Sequence, residues 1–187
     1  PPGQEVIDLT IVDPYQIPVL KGMKDTYVDV KAQLADGRWV IIEMQVLNVE
    51  SFEQRILYNA AKCYARQLEE GDEYTLLNPV IALTLTDFRM FKKEETEKEK
   101  ENAPNAKAKE ESETSRFALL EKESLIRYSD DIELIFIELP KFTKQEDELT
   151  DMKDKWLYFV KNAGSLQFIP APLSESAPIH SAFGIAN

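Results

Sequence analysis

Residues 27–46 read YVDVKAQLADGRWVIIEMQV, and this stretch decides the fold. Alternate residues of a strand share a face, so Asp29 points to one side of a first strand, and Glu43 and Gln45 point to one side of a second. The Asp-Gly step between them predicts a turn in which Gly37 takes a positive φ. A hairpin of this kind sets Asp29 beside Glu43, with Gln45 next to them. Two carboxylates on a rigid sheet predict a site for a hard divalent cation.

The hairpin resembles the recombination-promoting nuclease/transposase family of the PD-(D/E)xK nuclease superfamily. That family reads roughly Asp-x-Lys-Ala, a Gly turn and Ile-Glu-Met-Gln. The matching residues are Asp29-Val30-Lys31-Ala32, Asp36-Gly37-Arg38 and Ile42-Glu43-Met44-Gln45. The resemblance covers most of the chain and continues through Phe52–Tyr58, Gly71–Tyr74, Pro79–Leu83, Phe136–Phe142 and Lys155–Phe159. It implies an α/β fold with a restriction-endonuclease-like core, a mixed sheet flanked by helices, and a C-terminal α+β extension.

The same resemblance implies a metal-dependent DNA endonuclease in recombination or mobile-element processing, with Mg²⁺ or Mn²⁺ as cofactor and DNA as partner. Asp29 and Glu43 would hold the metal. Gln45 stands where the wider superfamily has a lysine; its amide can orient a water but is neither a base nor a cation. Gln45→Lys is expected to be tolerated structurally and to raise activity, because it restores the charge that the wider superfamily has at this position. Lys31, two residues beyond Asp29 on the same side of its strand, is a candidate for the missing charge, with an exposed solubilising lysine as the alternative.

Arg55 and Tyr58 are three residues apart on the helix predicted after the hairpin, so they share a face. In the resembling family this pair accompanies the site, and Arg55 could bind a substrate phosphate. The alternative is a surface pair of Arg55 with a glutamate, with Tyr58 half-buried.

Composition restricts the other function classes. The chain has 187 residues and a net charge of −12, which argues against general DNA binding because Lys and Arg supply most non-specific affinity. Bound cations would offset part of that charge locally. A single cysteine, Cys63, suits a reducing cytosol and a small core position, and a single histidine, His180, makes histidine-based catalysis or metal binding improbable. No apolar run approaches the roughly 20 residues that span a bilayer, so no membrane partner is expected.

The pattern predicts three organisational segments. These are a nuclease-like core over 1–91, a charged insertion over 92–115, and a C-terminal segment over 116–187 whose accessory strand and helices pack on the core. The insertion has no large apolar residue and is expected to be a solvated segment, with a regulatory arm as the alternative. The first core helix, which can add another acid in the superfamily, is not visible before Glu5, so the metal site is expected to lack a ligand.

Strands are expected at Glu5–Val12, across the hairpin, at Pro79–Thr86 and at Ile132–Leu139, and 117–125 fits either a strand or a short helix. Helices are expected after Asn48 or Ser51, closing at Gly71, and over Leu149–Asn162. The helix between the hairpin and Val80 permits a parallel crossover.

Two other functions stay open. One is a catalytically silent interaction module that keeps the fold, favoured by the acidic balance. The other is a nuclease that acts on RNA. The sequence leaves the oligomeric state open and is compatible with a homodimer.

Overall fold

A computed structural model of the chain describes residues 8–16, 24–91 and 111–186. Its strands are β1 (Leu9–Val12), β2 (Tyr15–Gln16), β3 (Thr26–Tyr27), β4 (Val30–Leu34), β5 (Trp39–Gln45), β6 (Val80–Thr86), β7 (Thr114–Leu120) and β8 (Arg127–Glu138). Its α-helices are α1 (Phe52–Ala65), α2 (Met152–Asn162), α3 (Ala171–Ser174) and α4 (Ala177–Ala186). Short 3₁₀ helices cover Tyr74–Leu76, Leu139–Lys141 and Glu146–Glu148.

Within the described residues, six strands form one mixed sheet in the order β1-β4-β5-β6-β8-β7. The β1–β4, β4–β5 and β7–β8 pairs are antiparallel, whereas β5 and β6 are parallel. Helix α1 lies between β5 and β6 in the chain, as the crossover that a parallel pair requires. The α/β class and the parallel crossover expected from the sequence are therefore confirmed.

The turn between β4 and β5 sets the register of the hairpin. Gly37 has φ of 93°, in the region that favours glycine, and its N–H donates to the Leu34 carbonyl at 2.9 Å. A Cβ at this position would stand 2.6 Å from Asn78 Oδ1, so the turn also needs glycine for space. The resulting register pairs Lys31 with Ile41.

Helix α1 covers one face of the sheet. Its buried residues are Phe52, Ile56, Asn59, Ala60, Lys62 and Cys63. The apolar members follow helical spacing, and Cys63 is the small core residue that was expected. On β6 the buried residues alternate, with Val80, Ala82, Thr84 and Thr86 buried. A polar pair, Asn59 and Lys62, thus lies in a stripe that packing alone would fill with apolar residues.

The predicted ends of α1 need correction. The helix ends at Ala65 and not at Gly71, which lies in a later turn with φ of 96°. The reason is that Gln67 exchanges two hydrogen bonds of 2.8 Å with the backbone of Asn78, and this turns the chain toward β6. Ser51 occupies the N-cap position as expected, but its side chain makes no capping hydrogen bond and its φ is 63°.

Other predicted bounds also change. The Pro79–Thr86 strand is observed as β6, and the Ile132–Leu139 strand starts earlier, at Arg127. The 117–125 segment contributes to a strand, β7, which begins at Thr114, so the last two residues of the charged stretch belong to it. Residues 5–7 of the first predicted strand and residues 92–110 of the charged stretch lie outside the described residues.

The chain divides into two compact units, Pro1–Thr86 with Thr114–Ile137, and Asp87–Glu113 with Glu138–Asn187. The second unit has its own core of Phe159, Leu173 and Ile179, on which Trp156 and Tyr158 pack. Helix α2 begins after Asp151, whose carboxylate accepts a hydrogen bond from the Asp154 N–H. The helix expected over Leu149–Asn162 is thus present and starts at Met152.

Candidate active site

Asp29 and Glu43 lie close together where the hairpin ladder ends. The register pairs Val30 with Ile42, Asp29 and Glu43 are the next residues along the two segments, and Asp29 is near enough for its charge to act on the Glu43 carboxyl. Asp29 lies just before β4, where its N–H donates to the Ile42 carbonyl at 3.1 Å and its Oδ2 accepts from the Met44 N–H at 2.6 Å. The Asp29 carboxylate is therefore anchored to the backbone next to Glu43.

Glu43 is a buried acid, only 6% exposed, beneath α1. Its Oε1 accepts a hydrogen bond from Asn59 Nδ2 at 2.8 Å, and its Oε2 lies 3.7 Å from Arg55 Nη2. Burial raises the pKa of Glu43 above its ordinary value; Arg55 and the Asn59 hydrogen bond act to lower it, and the negative charge of Asp29 raises it further. The surrounding side chains thus leave part of the cost of the buried negative charge uncompensated, and a cation beside the two carboxylates would lower that cost.

Gln45 and Arg55 form a pair at the end of β5. Arg55 Nη2 donates to Gln45 Oε1 at 2.7 Å, and Gln45 Nε2 donates to the Leu47 carbonyl at 2.8 Å. The guanidinium also lies over the Phe52 ring, 5.0 Å from its centroid. These contacts use one N–H and one lone pair of the Gln45 amide. The second N–H and the second lone pair can therefore donate to and accept from a water molecule and so orient it. Arg55 brings a positive charge close to both Gln45 and Glu43.

Lys31 is on the same face of the sheet as Glu43, but its side chain points toward Trp39, at the start of β5. Its Cα partner is Ile41, and its ammonium lies 4.8 Å from the centroid of the Trp39 ring. Trp39 is four residues before Glu43, about 13 Å along a strand. The structure therefore brings together Asp29, Glu43, Gln45 and Arg55, and it pairs Lys31 with an aromatic ring instead.

Tyr58 lies one helical turn after Arg55, next to a buried lysine. Lys62 Nζ is 5.7 Å from the centroid of the Tyr58 ring and donates to the Lys24 carbonyl at 2.9 Å and to Thr26 Oγ1 at 3.3 Å. Burial lowers the pKa of Lys62. These contacts tie α1 to β3, and Tyr58 stands at the edge of that junction.

Asn59 is the site residue that the sequence reasoning missed. It is 0% exposed and is the hydrogen-bond donor to Glu43. Its position four residues after Arg55 was the available signal, because such residues share a helix face. A polar residue in the apolar stripe of a helix that follows a proposed metal ligand is a candidate to contact that ligand.

The oxygen atoms near Glu43 fit a hard cation. Within the described residues, no hydrogen-bond partner reaches Asn59 Oδ1 or Thr84 Oγ1, and Thr84 is the residue that pairs with Glu43 in β6. Two carboxylates with neutral oxygens nearby match the preference of Mg²⁺, which uses one or two carboxylates and retains waters. The same described residues contain no group of three or more His, Cys, Asp and Glu side chains that could hold a metal ion. In the described part of the chain, the acids that converge are thus two, Asp29 and Glu43.

The sequence model of the PD-(D/E)XK nuclease family transposases matches residues 2–187. The chain therefore belongs to the PD-(D/E)XK nuclease family transposases, and the resemblance of the hairpin is confirmed. The mixed sheet is consistent with the restriction-endonuclease-like core that this membership implies. No curated protein and no solved structure matches the chain. The family indicates a nuclease with a role in mobile elements, and nucleases of this class typically use divalent metals.

In the part of the chain that the structure describes, no helix has the length and apolar character needed to cross a membrane.

Proposed function

We propose that the chain is a metal-dependent DNA endonuclease that hydrolyses phosphodiesters in recombination or mobile-element processing. The observation that carries the proposal is Asp29, anchored to the Met44 backbone near the buried carboxylate of Glu43. Burial is the main cause that raises the pKa of Glu43, and the negative charge of Asp29 raises it further, so the ionised Glu43 carboxylate is costly in the folded chain. Binding of Mg²⁺, or of Mn²⁺ in its place, would remove that cost.

Asp29 and Glu43 would hold the cation. When bound, it would polarise the scissile phosphate and lower the pKa of a water molecule. Gln45 uses its remaining N–H and lone pair to orient the attacking water. Arg55 binds a non-bridging phosphate oxygen, since its guanidinium is already held close to Glu43 by Gln45 and needs little further ordering.

Lys31 and Tyr58 have outer roles in this proposal. Lys31 adds positive charge along the face of the sheet, and Tyr58 adds a hydroxyl one turn from Arg55, so both are proposed to contact the DNA backbone away from the scissile phosphate. The net charge of −12 predicts weak binding that depends on the divalent cation. The single buried thiol of Cys63 is compatible with action in the reducing cytoplasm.

The second candidate is a catalytically silent interaction module with the same fold. It is favoured by the count of two converging acids among the described residues and by the negative charge. Fold membership alone does not separate the two, because activity depends on the site.

Titration of the purified chain with Mn²⁺ by calorimetry distinguishes these candidates. The parent is expected to bind Mn²⁺ saturably, and Asp29→Ala is expected to lose that binding. Asp36→Ala is the matched control, because it removes an acid from the turn of the same hairpin and should bind as the parent does. A parent chain without saturable binding would contradict the nuclease proposal and favour the silent module. For a chain that binds metal, cleavage of RNA with no cleavage of DNA would reassign the substrate.

A further inference from the structure

Among the residues that the structure describes, one side chain donates a short hydrogen bond to the Glu43 carboxylate, and that donor is Asn59. The Nδ2–Oε1 distance is 2.8 Å, and Asn59 is fully buried on α1. Its neighbours in the buried stripe include Ile56, Ala60 and Cys63, so an apolar residue would satisfy the packing at position 59. Burying an amide is costly unless it is hydrogen-bonded, and in Asn59 only the Nδ2 side is paired, because Oδ1 has no partner among the described residues.

We infer that Asn59 is a positioning residue of the candidate site, which orients the Glu43 carboxylate for a divalent cation through its side-chain N–H. The inference rests on the proposed function. With Oε1 engaged by Asn59, the Oε2 atom is directed toward the Arg55 side, where the guanidinium lies 3.7 Å away. Rotation of the carboxylate about its last bond would break the Asn59 hydrogen bond, so the orientation is fixed before any ligand arrives.

The expected size of the effect follows from other metal sites. Groups that hydrogen-bond a metal-ligating side chain change metal affinity by roughly 10–100-fold when they are removed. Asn59→Leu removes the donor and keeps the number and branching of the side-chain heavy atoms. Cys63→Ala is the matched control, because Cys63 lies one turn further along the same buried stripe and is not a partner of Glu43.

The test is Mn²⁺ titration of the full chain by calorimetry, together with NMR of the Asn59 side-chain amide. Asn59→Leu is expected to weaken Mn²⁺ binding about tenfold or more, and Cys63→Ala is expected to bind as the parent does. In a Glu43→Gln background, Asn59→Leu should cause no further loss. In the parent, paramagnetic Mn²⁺ should broaden the Asn59 side-chain amide signal at low occupancy, a readout that requires no variant to fold.

The outcomes separate the two levels of the argument. If the parent binds Mn²⁺, and Asn59→Leu binds it as tightly as Cys63→Ala does, the role of Asn59 is overturned and the proposed function stays intact. An Asn59 amide signal that is unaffected in a parent saturated with Mn²⁺ would place the cation away from Glu43, because Asn59 Nδ2 lies 2.8 Å from that carboxylate, and would overturn the proposed metal site together with the inference. A parent with neither saturable binding nor broadening overturns the proposed function, and the inference with it.

Discussion

Arg55 donates a 2.7 Å hydrogen bond to the side-chain oxygen of Gln45, which stands where the wider superfamily has a lysine. This contact joins the end of β5 to α1 and brings a cation within 3.7 Å of Glu43. A positive charge is therefore present beside the acids, although it comes from the helix and not from the strand. Gln45 acts as the acceptor that holds it.

This pairing changes the expectation for Gln45→Lys. An ammonium at this position would lose the acceptor for Arg55 and meet the guanidinium as a like charge. We expect the variant to fold but to cleave DNA more slowly than the parent, contrary to the expectation from sequence. Single-turnover cleavage rates check this, with Gln33→Lys as the control because Gln33 lies on the adjacent strand and does not contact Arg55. A Gln45→Lys rate at or above that of the parent would show that the strand position, and not Arg55, governs the charge.

Glu43→Gln should flatten the pH dependence of stability. Because the folded-state pKa of Glu43 is raised, mainly by burial, its contribution to stability is full below the ordinary value of 4.5 and is lost as pH rises through the folded-state pKa. The amide cannot ionise and avoids this loss. Urea unfolding in chelator from pH 4 to pH 7.5 should therefore show a smaller fall for Glu43→Gln than for the parent.

Glu53→Gln, which changes an exposed acid in the first turn of α1, is the control for that measurement. Its curve should follow the parent. Identical curves for Glu43→Gln and the parent would mean that Glu43 ionises without cost in the folded chain, and the electrostatic argument for a cation would fail.

Gly37→Ala should destabilise the hairpin that holds the site. A side chain at φ of 93° is strained, and the new Cβ would stand 2.6 Å from Asn78 Oδ1. We expect a loss of about 1–3 kcal/mol in the free energy of unfolding. Gly71→Ala has a similar φ of 96° with open space around it, so it should cost less, and the difference measures the contact with Asn78. Equal losses in the two variants would show that Asn78 moves aside without cost.

The charged stretch should be replaceable only in part. Residues 92–110 have no large apolar side chain, so a short Gly/Ser linker there should leave the melting temperature within a few degrees. Extending the replacement through residue 115 should cost more, because it removes Glu113, which pairs with Lys153, and the first residues of β7. The division of the chain at 92–115 stays a prediction until these two replacements are compared by thermal melts. A large loss from the shorter one would show that the stretch packs on the folded chain.

The sequence predicted the parts of the site that are close in the chain. Asp29 and Glu43 belong to one hairpin, where period-two alternation and one glycine turn determine which side chains meet. The hydrogen bond from Asn59 to Glu43 joins residues sixteen positions apart on different elements. Its formation depends on how α1 rotates over the sheet, and periodicity gives the buried stripe but not the pairing within it.

The predicted C-terminal end of α1 was wrong for a similar reason. Gly71 is a common type of helix terminator, but the helix ended earlier because the Gln67 side chain binds the backbone of Asn78. Local propensity cannot anticipate a competing partner from the next strand. The contact of the Lys31 ammonium with the Trp39 ring also depends on a neighbour from the adjacent strand. The alternation of residues did correctly predict that Lys31 lies on the same face of the sheet as Glu43.

The most direct test of the account is nicking of supercoiled plasmid DNA in Mg²⁺ by the parent, Glu43→Gln and Glu53→Gln. A thermal melt of each protein verifies first that it is folded. The account predicts that the parent and Glu53→Gln nick the plasmid, that chelation of Mg²⁺ stops both, and that Glu43→Gln does not nick. Activity of Glu43→Gln equal to the parent, or nicking that continues after chelation, would contradict the assignment of Asp29 and Glu43 as the metal-binding centre.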